Sequence, residues 1–251
     1  MRHDLTYTPP AAGVATPSAV ISSPTVRIPR YRRWLSYLTE QVLETASSPH
    51  NAYLQVSLVH GRLQLVAEDA IYSFGDYYLN FRKLFVRLAF DRLPERAEVL
   101  VLGLGLGSIP ELLEKHHGRD YRYVAVEIDP VIVELAAAYS LPALDSPLEV
   151  VVADAAAFLS LDTRRYDLIC VDVFQDATIP EHLNGPEFLE RLRAALRPGG
   201  AVVYNRLAST AADRRAARRY YEEVFLNVYP RAEIFDSGGN FLLLNDGEFL
   251  L

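Results

Sequence analysis

The sequence predicts an α/β protein: a doubly wound, mostly parallel seven-stranded sheet, with a small N-terminal helix plus β-hairpin unit packed onto it. Three observations carry this. From Val99 onward, short apolar runs alternate with stretches of helical period. The runs are continuously apolar rather than alternating, as parallel strands covered on both faces must be. The last two runs, 232–236 and 240–245, flank Ser237-Gly238-Gly239, which reads as a β-hairpin.

Residues 1–30 form a tail. Pro9, Pro10, Pro17 and Pro24 interrupt a stretch with little periodicity, and it lacks the apolar density to fold alone, so disorder is expected there. Residues 31–97 form the N-terminal unit. Trp34, Leu35, Leu38, Val42 and Leu43 recur near a 3.6 period and predict a helix over 31–46, stopped by Ser47-Ser48-Pro49. Residues 53–74 alternate and break at His60-Gly61, which predicts a small antiparallel unit of three strands. A helix over 77–91 follows, with Phe81, Leu84, Phe85, Leu88 and Ala89 on one face. Residues 98–251 form the main domain. Its strands are expected at 98–103, 122–127, 148–153, 166–172 and 200–205, ahead of the hairpin. Its helices are expected near 108–117, 130–139, 186–196 and 211–226.

Composition narrows the function. The chain of 251 residues has a formal net charge of −7, so a global basic field for nucleic acid is absent. One cysteine, Cys170, leaves no disulfide framework and no multi-cysteine zinc site; it lies inside an apolar strand and reads as packing. His116-His117 suits a helix C-terminus better than a metal, and no metal is expected. Arg214, Arg215, Arg218 and Arg219 read as a solvated face. No apolar run is long and uncharged enough for a transmembrane helix, and the N-terminus carries no signal-type apolar stretch, so the cytoplasm is expected.

The chemistry concentrates at strand ends. V-L-V-L-G-L-G-L-G-S-I-P closes the first strand of the main domain and opens a helix, with Gly103, Gly105 and Gly107 at G-x-G-x-G spacing. Such a loop lets backbone approach a ligand and aims helix N–H groups at it. The spacing differs from the G-x-G-x-x-G of dinucleotide binders and fits a nucleoside with an amino-acid-like or aminoalkyl tail; a tight turn without ligand is the bland alternative. The next strand ends at Glu127, placed to accept from both ribose hydroxyls, with Asp129 one step outside, either beside the ligand or as cap of the helix opening at Pro130. The third ends at Asp154, whose carboxylate can accept from an adenine amine while the Ala155 N–H donates to the ring, or which caps its own helix. The fourth ends at Asp172. With Asp176 it flanks a loop, and Glu181 adds a third acid: a set able to hold a cationic acceptor and take its proton, or merely to cap the loop.

These segments carry a resemblance. G-L-G-L-G-S, V-E-I-D-P-V-I-V-E-L-A, L-E-V-V-V-A-D-A and Y-D-L-I-C-V-D-V-F resemble the S-adenosylmethionine-dependent transferase fold, a Rossmann-like methyltransferase fold, and within it the spermidine synthases and their spermidine synthase-like relatives. The resemblance spans roughly 53–246 and includes H-G-R-L-Q-L-V-A-E-D-A-I-Y-S before the nucleotide domain. It implies a transferase whose donor is S-adenosylmethionine or decarboxylated S-adenosylmethionine and whose acceptor is a small, amine-bearing molecule. A small-molecule methyltransferase and a non-catalytic nucleoside-binding homologue are the alternatives. The expected partners are that acceptor and a second copy of the chain in a homodimer, with no nucleic acid and no membrane.

The acceptor end departs from the polyamine enzymes. Where they place an Asp in the glycine loop for the donor ammonium, this chain has Leu106, which tilts the expectation toward the intact methionine form. Their second strand-end Asp falls on Gln175, with Asp176 next, and their N-terminal acceptor residues fall on Tyr72, Phe81, Arg82 and Lys83. Tyr72, Gln175 and Glu181 are the expected acceptor-pocket residues, and Asp172 and Asp176 the expected catalytic ones. Tyr77 and Tyr78 either line that pocket or pack in the core. No D/N-P-P-Y follows the fourth strand, so nucleobase amino-methylation is not expected.

Overall fold

The computed structural model describes residues 25–67, 70–174 and 178–251; most of the expected tail, and both Gln175 and Asp176, lie outside the described residues. Its centre is a seven-stranded sheet. In spatial order it runs β10 (Glu233–Asp236), β11 (Asn240–Leu244), β9 (Leu196–Leu207), β8 (Tyr166–Val171), β5 (Glu98–Leu102), β6 (Arg122–Glu127) and β7 (Leu148–Val152). Strands β5 to β9 pair in parallel, while β11 pairs antiparallel with β9 and β10. Strands β5, β6, β8, β9 and β11 bury both faces, which is why the sequence shows unbroken apolar runs there. Val99, Val101, Leu168, Cys170 and Val203 face one core; Leu100, Leu102, Ile169, Val171 and Tyr204 face the other. Burial pushes the Cys170 thiol far up, as expected of a packing residue.

The first core is closed by α3 (Ser108–Glu111) and α4 (Pro130–Tyr139), the second by α5 (Ala155–Leu161), α6 (Pro186–Ala195) and α7 (Ala211–Tyr220). Chain order matters for function. From β5 the connections lead one way to β6 and β7, and the other way to β8 and β9. The crevice between the C-terminal ends of β5 and β8 is thus a topological switch point, where open α/β sheets bind ligands.

The N-terminal unit is a second sheet, in order β1 (Gln41–Ala46), β2 (Leu54–Val59), β3 (Arg62–Ala67) and β4 (Ala70–Ser73). The His60-Gly61 turn is a two-residue hairpin loop, with φ of 48° and 77°, flanked by the Val59–Arg62 pair. Leu54, Val56, Leu65 and Ala67 enter the first core, so the small sheet is packed onto the large one through side chains rather than strand pairing.

The N-terminal unit departs from the sequence expectation in three places. The helix expected over 31–46 ends early: α1 is Arg30–Leu35, and 41–46 is strand β1. Trp34 and Leu38 are 66% and 72% exposed, so the first half of the 3.6-period stripe faces no core, and pairing with β2 decides the conformation of Gln41–Ala46. The unit has four strands rather than three. The helix expected over 77–91 is α2 (Leu79–Phe85); beyond it the C-terminus captures the chain, as Ala89 donates to the Phe249 carbonyl and Leu88 pairs with Leu250.

Candidate functional site

A cavity of about 800 Å³ opens at the switch point. Because parallel strands carry their C-terminal ends to one edge, the sheet order dictates the order of side chains along the cavity floor. Asp154 follows β7, Glu127 ends β6, Gly103 follows β5, Asp172 follows β8, Asn205 lies near the end of β9 and Asn240 begins β11, and all six line the cavity.

The glycine loop is held by Glu127. Its carboxylate accepts from the Leu104 and Gly105 N–H groups at 3.1 and 3.3 Å and from the Asp129 N–H at 3.1 Å. Burial pushes this carboxyl up, and those three bonds act against the rise. A carboxylate offers about four lone-pair directions, so one remains for a ligand. Gly103 has φ 91°, and a Cβ there would lie 2.2 Å from the Asp172 carbonyl oxygen; only glycine lets β5 and β8 approach so closely at the crevice. Asp154 caps α5 through the Ala157 N–H and meets His182 Nε2 at 2.7 Å. Ala155, at the start of α5, also lines this half of the cavity.

Asp172 is the electrostatic centre of the other half. Tyr78 donates its hydroxyl to one carboxylate oxygen at 2.6 Å, and the Asn205 amide donates to the other at 2.8 Å. Asn240 in turn donates to the Asn205 carbonyl at 2.9 Å. Burial pushes the Asp172 carboxyl up to about 6, with the two donated bonds opposing. Burial beside this carboxylate also drives the Tyr78 hydroxyl far up, so it remains a neutral donor. Ile71, Tyr72, Phe74, Tyr77, Leu79 and Phe174 line the same cavity, with the Tyr72 carbonyl against Gly105 of the glycine loop. The Arg62 guanidinium sits 3.8 Å over the Tyr77 ring and pairs with Asp76, fixing that ring from behind.

Gly103, Gly105, Glu127, Asp154, Ala155, Asp172 and Tyr72 thus share one cavity, as the strand-end reading requires. Four residues named with them do not. Asp129 is 0% exposed, and its oxygens are engaged by the Val131 N–H, Ser48 Oγ and Asn51 Nδ2. It caps α4 and ties the β1–β2 connection to the main domain; a ligand cannot reach it. Gly107, in left-handed conformation, caps α3 and opens onto a separate small cleft. Leu106 turns into the first core, 3% exposed, so it does not stand beside a donor tail. Glu181 is exposed and outside the cavity lining. Asn205 and Asn240 were not anticipated. Their sequence signal is a polar residue closing or opening an apolar strand, weaker than that of a strand-end acid. His182 carried no signal beyond lying in the loop after β8.

Asp129 carries a prediction. Asp129→Ala removes a helix cap and strands the buried Asn51 amide and the partly buried Ser48 hydroxyl, which should cost ~2–4 kcal/mol. The midpoint of thermal unfolding should fall by roughly 5–15 °C. An unchanged midpoint would remove the tether from the account.

Among the described residues no helix is long and apolar enough to cross a membrane, and no three His, Cys, Asp or Glu side chains cluster for a metal. A methyltransferase-domain family model matches residues 99–200. The polyamine aminopropyltransferase of Vibrio vulnificus is 31% identical over 173 residues, covering 67% of this chain and 56% of that protein. The N-terminal histidine N-methyltransferase of Emericella nidulans is 30% identical over 179 residues, covering 67% of this chain and 30% of that protein. This chain therefore spans about half the length, or less, of these curated relatives. Among solved structures, spermidine synthase from Thermotoga maritima superposes with a TM-score of 0.61 at 18% identity, covering 81% of this chain and 72% of that one, which establishes the shared fold.

Proposed function

From its membership of the spermidine synthase-like family of the class I methyltransferase fold, we propose that the chain is a transferase that takes a group from an S-adenosylmethionine-type donor to a small amine. The observation that carries the reading is the placement of Asp172. It stands at the switch point, midway along a floor that offers Glu127 and Asp154 on one side and Asn205 and Asn240 on the other.

The residues present fit the donor. Glu127 has one free lone-pair direction, on the oxygen that meets the Asp129 N–H, and would hold a ribose hydroxyl. Asp154, with the Ala155 N–H, would read the adenine edge; its partner His182 would then turn away or share the contact. When bound, such a donor supplies an electrophilic carbon beside a sulfonium, with a neutral thioether as leaving group. What remains for the protein is the acceptor. An alkylamine is mostly protonated at neutral pH and cannot attack until it loses a proton. Asp172, raised to about 6 and therefore ionised at pH 7, accepts that proton. Tyr78 and Asn205 fix both of its oxygens, so it faces the cavity in one orientation. Tyr72, Phe74 and Phe174 shield the reacting atoms from water.

Support for methyl transfer as the second form of this reading comes from the floor itself. Among the described residues the glycine loop turns no acid toward the cavity, so nothing there selects a donor lacking its carboxylate. Incubation with S-adenosylmethionine or its decarboxylated form and a panel of amines, read by mass spectrometry, tests the proposal. The expected product is an amine heavier by one methyl or one aminopropyl group, with the intact donor used at least as well. Donor binding without transfer to any amine would leave a nucleoside-binding homologue in its place.

A further inference from the structure

The polar floor beside Asp172 crosses three strands. Val171 pairs with Tyr204, which sets Asn205 next to Asp172 across β8 and β9. Leu242 pairs with Asn205 and Asn240 with Leu207, so Asn240 is the diagonal neighbour of Asn205 on the same face of β9 and β11. The Asn240 Nδ2 donates to the Asn205 Oδ1 at 2.9 Å, and the Asn205 Nδ2 donates to the Asp172 Oδ1 at 2.8 Å.

Building on the transferase reading above, in which Asp172 takes the acceptor's proton, we infer that Asn240 is a positioning residue: it fixes the direction of the Asn205 amide and through it keeps Asp172 a proton acceptor. A primary amide has two orientations of nearly the same shape, which differ in exchanging oxygen for nitrogen. Turning the Asn205 amide over would set its oxygen against the Asp172 carboxylate and its nitrogen against that of Asn240, acceptor on acceptor and donor on donor. Asn205 is 1% exposed, so water does not repair either mismatch. Without the Asn240 donor, only the mismatch at Asp172 opposes the reversal. A protonated Asp172 removes that one too, because its hydroxyl donates to the Asn205 oxygen. Loss of the Asn240 side chain therefore favours the protonated carboxyl, which cannot serve as a base. The backbone of Asn240 is held independently: its N–H donates to Ser237 Oγ, and its carbonyl accepts from the Ser237 N–H and hydroxyl. Among the described residues, the titratable groups that interact with Asp172 are Tyr78 and Cys170, and burial keeps both neutral.

Carbon NMR of the full chain, labelled at aspartate carboxyls, reads Asp172 directly, with its signal assigned by its loss in Asp172→Asn. Asn240→Ala should raise the midpoint of the Asp172 titration by ~0.5 pH unit or more, and Asn205→Ala should raise it at least as far. In the Asn205→Ala background, Asn240→Ala should add nothing, because its effect runs through that amide. Charges elsewhere in the cavity are common to these proteins and drop out of the comparison. In wild type the side-chain amide signals of Asn240 should titrate with the Asp172 midpoint, a measurement that needs no variant. A purely structural Asn240 would lower the unfolding temperature and leave the titration where it is. An unmoved midpoint in folded Asn240→Ala, an equal effect with and without Asn205, or Asn240 amide signals indifferent to Asp172 would each overturn the inference. Where an amine is transferred, the rising limb of the rate should move with the carboxyl midpoint. Transfer to no amine would remove the transferase reading and leave the direction of the amide to the carbon titration.

Discussion

Asp172→Asn should lower the rate of group transfer by ~10²–10⁴-fold, the range expected for removing a positioned general base. Donor affinity should stay within about twofold, because Asp154 and Glu127 lie on other strands. Asparagine keeps the size of the side chain and can still bond Tyr78 and Asn205, so the loss is one of proton acceptance. The pH profile provides the signature. With its carboxyl raised to about 6, Asp172 must be ionised to accept a proton, so the wild-type rate should rise through pH 6 and level off above it. The variant's residual rate should lack that limb. Stability moves in the opposite sense. A carboxyl whose folded pKa is raised above its unfolded value favours folding at low pH, and that contribution is lost as pH rises through about 6. Relative to wild type, the Asn variant should therefore gain ~1–3 kcal/mol between pH 4 and pH 8. Chemical denaturation at both values measures this. A flat difference, with full activity, would show that Asp172 only closes the loop.

Gly103→Ala should be the most damaging single change in the cavity floor. The residue has φ 91°, outside the region alanine adopts readily, and the added methyl would stand 2.2 Å from the Asp172 carbonyl oxygen and 2.7 Å from its carbon. Neither neighbour is a flexible side-chain end; relief requires β5 and β8 to separate where they are paired from Val99–Leu168 to Leu102–Val171. The combined strain and clash should exceed ~3 kcal/mol. The unfolding midpoint should drop by roughly 6–12 °C or more, with transfer activity lost as Asp172 shifts. Gly118→Ala is the control: its φ is 60°, but nothing lies within 4 Å of the added methyl. It should cost only ~1 kcal/mol. Equal effects at the two positions would mean that backbone strain alone matters and that the strand contact at the crevice does not.

The main domain was legible because most of its strands are buried on both faces. That forces unbroken apolar runs, and the acids Glu127, Asp154 and Asp172 stand out at their ends. The α4 boundary, Pro130–Tyr139, was readable from Asp129 and Pro130, a cap followed by proline at the first turn. The N-terminal unit was less legible for a physical reason. β1 at the edge of its sheet is largely exposed, so Val42 and Leu43 fit a helical stripe as well as a strand. Pairing with β2 decides between them, and pairing is not local. At the site, residues were misplaced where direction rather than position mattered. Leu106 and Asp129 sit in the right segments, yet one turns into the core and the other toward Ser48 and Asn51, contacts made across more than 75 residues of chain. Asn205 and Tyr78 act only by meeting Asp172 from β9 and from the segment before α2, a convergence that spacing along the chain does not reveal.

The strand-end cavity is expected to hold an S-adenosyl nucleoside through Glu127. Calorimetric titration of wild type and Glu127→Gln with S-adenosylhomocysteine tests it most directly. Glutamine retains an acceptor for the Leu104 and Gly105 N–H groups, gives up the bond accepted from the Asp129 N–H, and loses the charge that a ribose hydroxyl would meet. Wild type should bind, and the variant, folded as judged by a single cooperative unfolding transition, should bind ~10–100-fold more weakly. Equal affinity in the two proteins, or no binding by wild type, would contradict it.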